Sequence, residues 1–241
     1  YISTELPKGW KGFVSYKSGN IIAFMDNLMN NVLYRDKYDE LSAYVAGVLD
    51  AGKILSAYDT ETLVECDSFA EIDIILRWIK ERLLAEDLIA RLDNKNLCEI
   101  CEMRSKMHFG RKYAKVYHML SNAYFIISQA SYEPLDGFKK IIDNYVASDC
   151  VIDCSYREFY TDYDALEDTS GLEELRELVE NIYTNEYLGK LLPKWNAGLQ
   201  EQDALTVIPL QRDFFSKYVR SNKERTVVII SDGMRFEVGC E

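Results

Sequence analysis

The sequence predicts a mainly α fold: a multi-helix amphipathic bundle that ends in the first strand of an α/β domain. Three observations carry this reading. Apolar residues recur every three or four positions through most of the chain, the spacing of one helix face. Only 4 Pro and 12 Gly interrupt 241 residues, which leaves little room for loose linkers. The uninterrupted β-branched run from Thr226 to Ile230 comes late and lacks polar alternation, the pattern of a strand buried on both faces of a parallel sheet.

Taken in order, Trp10 to Asn20 is a mixed, Gly-containing lead-in. Ile21, Met25, Leu28 and Val32 then fall at helical spacing, and Leu41, Val45 and Val48 continue it beyond the charged stretch Arg35 to Glu40, as the same helix or a second one. Ser68 and Glu71 match a capping box, in which each side chain satisfies a free N–H at a helix start. The helix it opens carries Ile72, Leu76, Ile79 and Leu83, with Trp78 beside them and Asp93-Asn94 as a stop. From about Met103 a longer helix is predicted through Tyr113, Tyr117, Leu120, Tyr124 and Ile127. Pro134 suits the first turn of the next helix, which buries Leu135, Phe138, Ile142 and Tyr145. Ser170 and Glu173 repeat the capping pattern ahead of Leu172, Leu175, Val179 and Ile182. Pro193 reads as a boundary, because its ring clashes with a continuing helix. Gln200 to Asp203 is a polar break, Leu205 to Ile208 a short strand or connector, and Gln211 to Val219 a short helix. The domains are therefore placed at 1–205, helical, and 206–241, the start of an α/β domain.

Composition narrows the function classes. A net charge of -12 argues against a general nucleic-acid-binding surface, which works by neutralising phosphates. Arg104, Lys106, Arg111, Lys112 and Lys115 form a local basic stretch, read either as a solvated helix face or as a patch for an acidic ligand. Six cysteines without a secretory signal fit reduced thiols, and no apolar stretch approaches the length that spans a bilayer. The sequence reads as an internal stretch of a longer, soluble, cytoplasmic protein. Cys98 with Cys101 and Cys150 with Cys154 could in principle supply a thiolate zinc site, yet neither pair has the turn-rich setting of a zinc knuckle, and buried Cys packs as a small apolar residue. His108 and His118 are ten apart and read as packing or hydrogen-bonding residues. Many of the 17 tyrosines fall on the apolar stripes, as expected for a core with polar edges or a docking surface.

Ser231, Asp232 and Gly233 follow the Thr226 strand at once. In an open α/β sheet the crevice beyond the strand's carboxyl end holds the ligand, so Asp232 is the candidate metal or substrate residue, with capping of the next helix as the alternative. Arg235 is a candidate phosphate contact or a structural partner of Glu237 or Asp232.

The string Ile230-Ser231-Asp232-Gly233-Met234-Arg235-Phe236-Glu237 resembles the opening motif of the PglZ family of the alkaline phosphatase superfamily, which has Ser-Asp-Ala-Leu-Arg-Tyr-Glu after an apolar strand. It departs at Gly233, Met234 and Phe236, and each departure keeps size or apolarity. Cys66 to Asp73, His108 leading into Tyr113 and Tyr117, Ile152 to Tyr160, and Leu175 to Glu180 through Trp195 resemble the longer, type A branch. The resemblance implies an amino-terminal region of a component of a BREX bacteriophage-exclusion system. Its whole protein would be a metal-dependent phosphatase or phosphodiesterase using zinc, or alternatively manganese, with Asp232 as a metal ligand. The nucleophile would lie beyond Glu241, so this stretch would be inactive and bind no metal itself. Other BREX proteins are the implied partners, DNA enters through the complex, and no membrane is involved. A nucleic-acid or substrate gate, or an unrelated helical scaffold, are the alternatives.

Overall fold

A computed structural model describes residues 23–24, 27–67, 73–201, 204–206, 208–220, 222–230, 235–236 and 239. The helices are α1 (Arg35–Val48), α2 (Ala51–Leu55), α3 (Thr60–Leu63), α4 (Asp73–Leu84), α5 (Leu97–Ser105), α6 (Ala114–Ile127), α7 (Phe138–Asn144), α8 (Cys150–Asp164), α9 (Glu173–Asn181) and α10 (Gly189–Leu199). The mainly α prediction holds. Among the described residues the β structure is one hairpin, Arg91–Leu92 paired antiparallel with Lys95–Asn96.

The core gathers around α6, which packs along α8, α5, α4 and α9. Ile75, Ile79 and Leu83 of α4 meet Leu97 and Ile100 of α5, Tyr117, Leu120, Ala123 and Ile126 of α6, and Phe159 of α8. Each large apolar side chain so enclosed contributes about 1.5–3 kcal/mol relative to exposure.

Several local predictions give way to specific contacts. The long helix from Met103 is two helices. α5 ends at Ser105, and a 3-10 turn, Phe109–Tyr113, separates it from α6. A Cβ on Gly110 in that turn would sit 1.5 Å from the Arg104 carbonyl oxygen, so the turn lies backbone against backbone on the end of α5. Asp93 and Asn94 do not end α4, which stops at Leu84; with φ of 45° and 60° they form the hairpin's two-residue turn. Pro134 lies buried ahead of α7, which starts only after Gly137 at φ 96°. Pro193 does not bound a helix but sits inside α10, downstream of a π-helical turn, Ile182–Leu188, that widens the run between α9 and α10.

At α1 the buried stripe is Tyr38, Ser42 and Ala46, whereas Leu41 and Val48 face outward. The Tyr38 ring docks edge-on against His108, centroids 5.6 Å apart, and this contact selects the face. The Ser68 and Glu71 capping pair, with Ile21 and Met25, lies outside the described residues.

The predicted strand from Thr226 to Ile230 is a correction. These residues form no ladder, and Val227, Ile229 and Ile230 are 79%, 89% and 79% exposed. A doubly buried strand needs hydrogen-bonded neighbours on both edges, and no described segment pairs with this run. Gln211 to Val219 is helical as predicted, as a 3-10 turn followed by a π turn.

Candidate functional site

Asp232 lies outside the described residues, and Arg235 is described and exposed. Among the described residues no group of three or more His, Cys, Asp or Glu side chains could hold a metal ion. His108 and His118 are hydrogen-bonding residues: His108 Nε2 meets Asp39 Oδ1 at 2.5 Å, and His118 Nδ1 meets Asp162 Oδ2 at 2.5 Å. Cys98 shares a hydrogen bond with Ser121, and Cys101 is buried, its thiol pushed well above the ordinary range by desolvation.

The basic stretch comes apart. Arg104 is 1% exposed, and its guanidinium donates to Tyr117 Oη at 2.8 Å and the Val64 carbonyl at 2.6 Å. Lys106 pairs with Glu102 at 2.6 Å. Arg111, Lys112 and Lys115 remain exposed.

What the fold does bring together is a face of phenols and carboxylates that sequence reading left unassembled. Asp153, Tyr156 and Tyr160 recur at helical spacing along α8. Glu180, Tyr183 and Tyr187 do the same across the end of α9 and the π turn, and the two rows meet. Tyr156 and Tyr160 each donate to Glu180 Oε2 at 2.6 Å. Tyr145 and Tyr183 donate to the two oxygens of Asp153 at 2.7 and 2.9 Å. Tyr132 and Asn144 donate to Asp149 at 2.6 and 2.8 Å. The Tyr156 and Tyr183 rings stack with centroids 3.7 Å apart and planes 10° from parallel. Tyr187 Oη is buried at the centre without a hydrogen-bond partner.

The electrostatics are mutual. Hydrogen bonds from Tyr156 and then Tyr160 hold the Glu180 carboxyl below its usual range, while burial, reinforced by Glu180, pushes both phenols up. Burial and Asp153 raise Tyr183 in the same way, with Arg235 and Arg157 pulling against them. At neutral pH the phenols are donors and the carboxylates acceptors. Such a surface holds and orients groups; it offers no activated nucleophile. A groove of about 610 Å³ runs along it, flanked by Arg157 and Arg176. The sequence signal was the two Tyr-rich rows with an acid one turn ahead, which shows only once α8 and α9 are paired.

A second surface has no such network. Leu41, Tyr44 and Val48, spaced three and four apart, share an outward apolar face of α1, with Tyr44 and Val48 71% and 67% exposed, and Val32 and Leu33 just ahead of the helix are exposed as well. Exposed apolar residues grouped in this way mark interaction sites more often than single ones do.

The chain is similar over its whole length to the alkaline phosphatase-like protein PglZ of Bacillus cereus (strain H3081.97), at 30% identity over 256 residues, which is 100% of this chain and 29% of that protein. It is also similar to the alkaline phosphatase-like protein BrxZ of Escherichia coli O9:H4 (strain HS), at 26% identity over 245 residues, 91% of this chain and 28% of the relative. The chain thus spans under a third of the length of these curated relatives. No family model matches it, and no solved structure does.

Proposed function

The chain belongs to the PglZ family, and from that premise we propose that it serves as the helical protein-docking region of a PglZ-type, metal-dependent phosphohydrolase-like component of a BREX bacteriophage-defence system. In this reading residues 1–205 are the interaction region and 206–241 open the alkaline-phosphatase-like domain. That domain carries Asp232 as a ligand of zinc or manganese and completes its centre with residues outside this chain. Other proteins of the same system are the partners, in the cytoplasm.

The observation that supports docking is the apolar face of α1. The helix is anchored on its other side by Tyr38 against His108 and by the Asp39–His108 hydrogen bond, so the outward residues are displayed on a fixed element. Burying such side chains against a partner is favourable by about 25 cal/mol per Å² of apolar area before the costs of association. The acidic surface suits protein contacts better than DNA contacts, and the burial of Arg104 takes one cation out of the basic stretch.

The test uses the full-length protein. Tyr44→Glu with Val48→Glu changes only exposed positions. Co-purification of the remaining proteins of the system should fall by at least tenfold, while the thermal transition stays in place. Undiminished co-purification removes the docking reading. Hydrolysis of chromogenic phosphomono- and diesters with zinc or manganese, wild type against Asp232→Ala, tests the chemistry separately: activity that needs metal and collapses in the variant is the expected result.

A further inference from the structure

Arg235 and Phe236 are described residues of the stretch that resembles the family motif, and they are remote in sequence from the tyrosine face. In space Phe236 is beside it. The Phe236 ring centroid lies 6.2 Å from that of Tyr145, with planes tilted by 54°. The Arg235 charge acts on the Tyr183 phenol, against the pull of Asp153.

Tyr145 and Tyr183 are also the two phenols that donate to Asp153, so one carboxylate fixes the orientation of both rings. Asp153 thereby joins both rings to α8. Phe236 is 43% exposed, half covered rather than free. The surface offers the Phe236 ring an aromatic partner.

We infer that Tyr145, oriented together with Tyr183 by Asp153, is the seat on which the helical region holds the motif segment of the same chain, with Phe236 as the apolar anchor. The inference rests on the family reading only for the name of that segment; the contact stands on its own geometry.

Hydrogen exchange on the full-length protein tests it, with wild type, Phe236→Ala, Tyr145→Ala and the double variant. An aromatic contact of ordinary strength is worth roughly 2- to 12-fold in protection. Either aromatic variant should speed exchange by that factor in peptides covering both 145–156 and 235–239, and the double variant should add little to either single one. Effects confined to the mutated segment, or fully additive in the double variant, overturn the proposal. Because Phe236 is half exposed, its removal leaves the core intact, and an unchanged thermal transition verifies that. Absence of phosphatase activity would count against the proposed chemistry and leave this result untouched, so the two readings fail separately.

Discussion

A guanidinium that is 1% exposed is a constraint on everything around it. Arg104 meets that constraint by donating to Tyr117 of α6 and to the carbonyls of Val64, Leu63 and Cys66. One residue of α5 thus ties α6 to the chain that follows α3, and leaving any of these groups unpaired would cost about 1–3 kcal/mol. Its own carbonyl is as restrictive, because the missing side chain of Gly110 is what lets the 3-10 turn approach it. Gly110→Ala should therefore destabilise the protein by about 1–3 kcal/mol or more, the range for overpacking. Urea unfolding would show it as a lower midpoint with an unchanged slope, and an unchanged midpoint would mean that the turn is free to move aside. Neither role was legible in the sequence. Arg104 stood among other cations, and linear charge spacing says nothing about carbonyls supplied by a remote segment.

At the scale of the element, the same short pattern had two outcomes among the described residues. Ser170 and Glu173 match a capping box, yet α9 starts with Leu172 at its N-cap in a helical conformation, without a side-chain cap, and Ser170 instead bonds Asp168 through both its N–H and its hydroxyl. Asn96 and Glu99 form a complete capping box at α5, because Asn96 is extended, with φ -75° and ψ 172°, at the end of the hairpin. The Ser68 pair lies outside the described residues. The pattern is necessary for the box, and backbone geometry upstream decides whether it closes. Asn96→Ala should cost about 0.5–2 kcal/mol, whereas Ser170→Ala should stay within about 0.5 kcal/mol. Thermal denaturation of the two variants side by side would reverse this assignment if Ser170→Ala proved the more harmful. Periodicity found α4, α6 and α9 and part of their buried stripes, since those helices bury one broad face each; α8 was not read from it. It misjudged α1, where small residues and one tyrosine make the contact and the more apolar residues face outward. It also supplied a strand at Thr226 that no described neighbour completes.

For the whole molecule, the tyrosine face makes stability a function of pH at both ends. Glu180 has a folded pKa below its ordinary 4.5, so its contribution is present above that value and is lost as pH falls through the folded one. The phenols act in the opposite sense. Burial pushes Tyr117 up to about 12 and raises Tyr132, Tyr156, Tyr160, Tyr183 and Tyr187 above the ordinary 10.0, their carboxylate partners adding to the shift. A raised folded pKa means that stability is fully present below about 10 and erodes as pH climbs from there towards the folded values. These tyrosines sit on α6, on α8, on the turn between α6 and α7, and on the π turn, so their ionisation cannot proceed one ring at a time without breaking contacts that join the helices. Tyrosinate absorbance from this buried set should accordingly rise only in a steep step above pH 10, coincident with loss of helical circular dichroism. Glu180→Gln should lower the pH of that step's partners Tyr156 and Tyr160 and flatten the acid limb. A single smooth titration near pH 10 with the helices intact would mean that these phenols are open to solvent, and the face would then be a set of independent side chains instead of the joint that the fold makes of it.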